Sequence, residues 1–231
     1  VIGTPRVHHR VADSTNQRAK ELAAAGAPHG TLVTADEQTA GRGRQGRTWV
    51  APARSAVLMS LVLRELDERF PLVPLVAAVA VADACEAIAP VRCRIKWPND
   101  VWIEGRKVAG ILVEGRPAEG WAVLGIGVNV GPVEFPEELS SIATSLRLEG
   151  GVPLVLGAVL EALTGWLRKG VPEVLAAWRE RDALRGEHVR WADGAGTAAG
   201  IDDSGSLLVD TNAGLVTLGA GEVHLQGSNV R

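Results

Sequence analysis

A chain of 231 residues, 46% hydrophobic and 22% charged, can bury one large domain or a domain plus a small module, and is not disordered by composition. Its formal net charge of −3 excludes bulk attraction to nucleic acid or an anionic membrane, so any anion binding must be local. Its only two cysteines, Cys85 and Cys93, make neither a disulfide framework nor a zinc spacing, which fits a reducing, cytoplasmic setting.

Nothing near the N-terminus reads as a signal peptide. Residues 7–11 form a short predicted strand. Ser14 with Gln17 three residues later is a capping-box pattern. It opens a helix on Ala19, Leu22 and Ala23 that stops at Gly26. Residues 31–35 read as a strand leading into a basic loop, 41–49. That loop sets Arg42, Arg44 and Arg47 among Gly41, Gly43 and Gly46 and ends on Trp49. Glycine lets backbone approach a ligand closely, arginine offers a charged fork of donors, and an indole face can stack on a base. Alone, the loop is equally a solvated basic turn.

Residues 56–63 form an uninterrupted apolar run, predicted as a buried strand. Pro71 and Pro74 open an apolar helix reaching Ala89, with Ala77, Val81, Ala84, Cys85 and Ile88 on its core face. The apolar stretch 72–81 is too short to span a bilayer. A strand over 93–97 ends in the turn Pro98-Asn99-Asp100, and 101–103 with 108–113 make a hairpin. The strand 121–130 is interrupted by Gly125 and Gly127, which mark a bulge or a close backbone approach. A loop over 131–141 and helices over 154–169 and 171–184 follow. After Gly186 five short β-prone runs (188–191, 197–201, 206–209, 215–218, 223–225) suggest a small SH3-like barrel. The expected fold is α+β, a mixed sheet flanked by helices over 1–185 with a barrel over 186–231.

Three further stretches carry candidate chemistry. In the first, Lys96 leaves a buried strand beside Asn99 and Asp100; in the second, Lys107 leads through Gly110 to Glu114. In the third, Gly125, Gly127 and Asn129 let a ligand lie against a strand and offer it a donor and an acceptor. Together with Ser14-Thr15-Asn16, Gln38 and the basic loop, these residues occur in an order that resembles the biotin protein ligases over essentially the whole chain. The resemblance implies the biotin ligase-like catalytic fold related to class II aminoacyl-tRNA synthetases. It also implies a two-step reaction: biotin and ATP form biotinyl-5′-AMP, then biotin passes to a lysine of a biotin carboxyl carrier domain. It further implies that Ser14, Thr15, Gln38, Gly41, Arg42 and Gly110 bind biotin, and that Arg42, Arg44, Arg47, Trp49, Lys96 and Asn129 bind ATP or the adenylate. Lys96 and Arg44 are then the catalytic cations, Mg²⁺ accompanies ATP, and Asp100 is the candidate for metal contact. The loop is expected to order over the adenylate and exclude water.

A dozen residues before Ser14 cannot make a helix-turn-helix, so sequence-specific DNA binding is not expected. Monomer and homodimer both remain open. The alternatives are a lipoate or octanoate ligase or transferase of the same fold, and a nucleic-acid-binding module. Cys85 and Cys93 read as core thiols, and His8 and His9 as a solvated pair.

Overall fold

The computed structural model describes residues 1–64, 66–219 and 221–225. Two sheets organise them. The larger has seven strands in the order β1-β2-β3-β7-β6-β5-β4: β1 (Arg6–His9), β2 (Leu32–Ala35), β3 (Ala56–Leu63), β4 (Cys93–Lys96), β5 (Asp100–Ile103), β6 (Arg106–Arg116) and β7 (Trp121–Asn129). Only β1 and β2 run parallel, across the crossover that holds helix α1 (Thr15–Ala24); every other neighbouring pair is antiparallel. The sheet is therefore mixed, as the hairpin signals require.

Alternation along the central strands assigns its two faces. Val62 and Val123 turn toward Ala19 and Ala23 of α1. Leu61, Leu63, Ala122 and Leu124 turn the other way, into the main core. There α2 (Val73–Ile88) packs on β4, β5 and β6, with α4 (Val152–Trp166) and α5 (Val171–Glu180) packed on it in turn. Because α2 is enclosed on several sides, the single core face expected from its sequence becomes near-complete burial from Leu75 through Ala82. The continuous helical run Phe70–Ile88 is 19 residues long, longer than the apolar stretch read from sequence. By length and composition it could cross a membrane, but it is a core helix of this fold. Within the expected loop 131–141, Glu137–Ser140 forms one helical turn, α3.

The C-terminal sheet has the order β11-β10-β9-β8-β12, all antiparallel. Its strands are β8 (His188–Trp191), β9 (Gly194–Ile201), β10 (Leu207–Thr211), β11 (Gly214–Leu218) and β12 (His224–Leu225). Its strand positions follow the five β-prone runs. The segment entering it adds to the β4 edge: Ile95 N donates to Arg181 O at 2.7 Å, and Ala183 N to Ile95 O at 2.9 Å. Trp97 Nε1 donates to Gly205 O at 3.0 Å, tying the turn after β4 to the C-terminal sheet. Cys85 and Cys93 are free and buried, with Cys93 and burial holding the Cys85 thiol well above its usual range. His8 is bonded rather than simply solvated, with Nδ1 3.0 Å from Thr34 Oγ1 and Nε2 3.5 Å from Asp36.

Asp182 lies at this junction. It is 3% exposed; Oδ1 accepts from Leu184 N at 2.8 Å, and Oδ2 is buried without a partner. Burial raises its pKa against the opposing pull of backbone N–H groups and of Arg94 and Arg185. A carboxyl with a raised folded-state pKa stabilises the fold below its unfolded value, and that contribution is lost as pH rises through the folded value. Asp182→Asn should therefore gain in melting temperature relative to the parent chain as pH increases from 4 to 7. A difference that stays constant across this range would contradict the assignment.

Candidate active site

On the α1 side of the sheet, β7 presents Trp121, Val123, Gly125, Gly127 and Asn129 in alternation. The first two are buried near α1. The two glycines then remove side chains, and the space left is where the site forms. No bulge interrupts β7, whose register with β3 and β6 is continuous; the glycines mark close approach. A Cβ on Gly125 would lie 2.0 Å from Asn16 Oδ1, and one on Gly127 would lie 2.6 Å from Trp49 Cε2.

Over this bare patch lies a cleft of about 320 Å³, walled by the start of α1, the basic loop, β6, β7 and the segment containing α3. It contains Ser14, Thr15, Gln38, Arg42, Arg44, Arg47, Trp49, Gly110 and Asn129 of the residues expected from sequence. Gly41 is buried behind the wall, its carbonyl accepting from Trp49 N at 3.0 Å. Lys96 is not on the wall; its ammonium stands 5.3 Å over the Trp102 ring. Burial lowers its pKa, opposed by Asp100 and Glu222.

The α1 end of the cleft is polar. Ser14 caps α1, accepting from Gln17 N, so the helix's positive end points at the pocket. Gln38 Oε1 accepts from Thr15 N at 2.7 Å and from Thr15 Oγ1 at 3.0 Å. The buried Ser60 hydroxyl reaches Thr15 Oγ1 at 2.9 Å and Asn16 Oδ1 at 2.6 Å. At the other end Asn129 Nδ2 donates to Thr144 O at 3.0 Å.

Between these ends the wall is cationic. Among the described residues it holds Arg42, Arg44, Arg47 and Lys107 and no carboxylate. Three of the four are paired with acids standing outside the wall: Arg42 with Glu114 at 3.0 Å, Arg47 with Glu222 at 2.5 Å and Lys107 with Asp100 at 2.7 Å. Arg44 differs. Among the described residues its guanidinium donates only to neutral oxygens, Asn99 Oδ1 at 3.3 Å and Gly221 O at 3.0 Å. Burial is the main influence on its pKa, lowering it.

Lys107 is the wall cation that the sequence placed in a candidate stretch without assigning it a binding role. Strict alternation would put Lys107 and Gly110 on opposite faces of β6. The register with β5 shifts by one residue, however, from Trp102↔Lys107 to Val101↔Ala109, so β6 carries an extra residue at Val108. The bulge brings the Lys107 ammonium 5.7 Å from the Trp49 ring and to 3.1 Å from where a Gly110 Cβ would sit. Asp100, occupied by Lys107, is not joined by other ligands: no three His, Cys, Asp or Glu side chains converge among the described residues. The Trp49 indole lies between Gly110 and Gly127, with Nε1 buried and unpartnered among the described residues.

Residues 8–131 match the biotin/lipoate A/B protein ligase family, and residues 186–225 match the biotin protein ligase C-terminal domain. The chain is 38% identical to the biotin–[acetyl-CoA-carboxylase] ligase of Mycobacterium tuberculosis, with 92% of this chain and 86% of that protein covered. It is 37% identical to the bifunctional ligase/repressor BirA of Bacillus subtilis over 97% of this chain and 75% of that protein. Among solved structures it is similar to the Aquifex aeolicus biotin protein ligase in complex with biotin and ATP. The TM-score is 0.84 and the identity 31%, with 96% of this chain and 99% of that one covered. A seven-stranded mixed sheet bearing a cationic cleft, and a small antiparallel sheet joined at its β4 edge, are thus the two parts of a recognised pair: the chain belongs to the biotin protein ligase family.

Proposed function

We propose that this chain activates biotin with ATP and transfers it to a lysine of a biotin carboxyl carrier domain. The observation that carries the reading is the cleft itself, polar at the α1 end and cationic at its middle, with no carboxylate on the wall. A carboxylate oxygen of biotin attacks the α-phosphorus of ATP and pyrophosphate leaves, giving the acyl-adenylate. The ε-amine of the acceptor lysine then attacks the acyl carbon, and AMP leaves. The first step joins two anions, so fixed positive charge at the meeting point lowers its barrier.

Arg44 is the cation best suited to meet the acyl-phosphate, since no carboxylate neutralises it directly. Lys107 supplies a second charge from the wall, aimed by Asp100. Lys96, buried behind, acts at longer range, and Arg47 flanks the phosphates while held by Glu222. The ureido ring belongs at the α1 end, where Ser14, Thr15 and Gln38 offer both donors and acceptors. That polar end favours biotin over lipoate, whose ring has nothing to satisfy it there. Backbone around Gly41, Arg42 and Gly110 closes over the biotin chain. Trp49, flat against β7, flanks the adenine, and Asn129 contacts the nucleotide. Magnesium bound to ATP would supply neutralisation of part of the phosphate charge. With Asp100 engaged by Lys107, the described residues supply no cage of their own for it. Residues 1–185 form the catalytic unit in this reading and 186–231 the unit that steadies its loop.

Pyrophosphate release in the presence of ATP and magnesium should require biotin and should not respond to lipoate. Equal release with lipoate would sink the choice of substrate. Arg44→Ala and Lys107→Ala should each slow adenylate formation by roughly 100- to 1,000-fold, and Lys96→Ala by about ten-fold, since its charge acts from behind the wall. Rates that rank Lys96 above Lys107 would reverse their roles. Gly127→Ala should displace the indole and raise KM for ATP about ten-fold with a smaller effect on biotin affinity. An unchanged KM would remove Trp49 from the nucleotide site.

A further inference from the structure

Glu114 stands on the cleft side of β6, two residues beyond Leu112 and opposite Val123 in register. It does not border the cleft, yet its carboxylate gathers three groups, two from α1 and one from the basic loop. Oε2 accepts from Asn16 Nδ2 at 3.0 Å. Oε1 lies 3.4 Å from Lys20 Nζ and 3.0 Å from Arg42 Nη2. Asn16 is 4% exposed, and its oxygen accepts from Ser60 Oγ at 2.6 Å. Both ends of that amide are therefore engaged by protein, fixing the first turn of α1 against β3 and β6. Arg42, also on the cleft wall, belongs to the basic loop.

A carboxylate beside a site for anions would repel them if left bare. Here two cations offset it, so the charge serves as an anchor for Arg42 rather than as a contact to substrate. The same side chain thereby fixes both the polar end of the pocket and the start of the loop that covers it. We infer that Glu114 is a positioning residue for biotin binding, a tether through which filling of the α1 end favours closure of the 42–47 loop. This rests on the biotin-activating reading and adds to it the side chain that couples the pocket to its cover.

The test is equilibrium dialysis with labelled biotin, without ATP, on the full chain and on Glu114→Gln, Arg42→Gln and the double variant. Tryptic cleavage at Arg44 and Arg47, with and without biotin, is followed in the full chain and Glu114→Gln. Melting temperatures are recorded throughout. Glu114→Gln keeps the size and one acceptor but loses the charge, and should weaken biotin binding by about five- to ten-fold while melting close to the parent chain. Biotin should protect the loop from trypsin in the parent chain and protect it much less in Glu114→Gln. The double variant should bind no more than about two-fold worse than Arg42→Gln, because the two side chains act as one unit.

Unchanged biotin affinity in Glu114→Gln would overturn the inference, as would losses that multiply independently in the double variant. So would a loss of affinity accompanied by an equal loss of protection without biotin and a lower melting temperature, which is the signature of a purely structural residue. Should Glu114→Gln fail to fold, Glu114→Asp, which keeps the charge on a shorter arm, carries the same expectations. A parent chain that binds no biotin would bring down the functional reading first, and the tether with it.

Discussion

The structure turns on a problem of like charge. A cleft meant to bring a carboxylate to a triphosphate needs several cations close together, and those cations repel one another when the cleft is empty. The fold answers by placing a carboxylate behind each of three: Glu114 behind Arg42, Asp100 behind Lys107, and Glu222 behind Arg47. The acids stand outside the wall, so they hold the cations in place without presenting negative charge to a ligand. Among the described residues the Arg44 guanidinium donates to neutral oxygens, with Asp100 and Glu222 acting on it through space.

The backbone makes this arrangement possible. On β7 two apolar residues facing α1 give way to two glycines, and the sheet surface becomes flat enough for Asn16 and the Trp49 indole to lie directly on it. The C-terminal sheet contributes from the other side. Gly221 and Glu222 hold Arg44 and Arg47, and Gly205 holds Trp97. The small module thus reaches the basic loop directly, and its position is fixed by the strand-like pairing of residues 181–183 with Ile95.

Much of this was legible in the sequence. The long apolar run of β3, the glycine pair of β7, the capping serine of α1 and the turn-separated strands after Gly186 each carry a local signal, and each appears where that signal places it. The basic loop, Gln38 and Asn129 were legible as a set, and the fold gathers them at one cleft. What escaped depended on tertiary register. Lys107 reaches the wall only because β6 carries an extra residue at Val108, and simple alternation does not reveal that. Lys96 took its place among the site cations from the family resemblance, and its side chain stands over Trp102, off the cleft wall. Glu114 and Glu222 gain their meaning from partners 72 and 175 residues away in the chain, separations at which no sequence periodicity operates. The enclosure of α2 likewise follows from the helices and turns packed around it, which its own pattern does not contain.

The central claim is that this cleft joins biotin to ATP before any acceptor takes part. Exchange of labelled pyrophosphate into ATP, measured without a carrier domain, isolates that step because it requires only reversible adenylate formation. Exchange should depend on biotin and fall by roughly 100- to 1,000-fold in Arg44→Ala. Exchange that proceeds equally well without biotin, or that fails altogether in the folded parent chain, would contradict the claim.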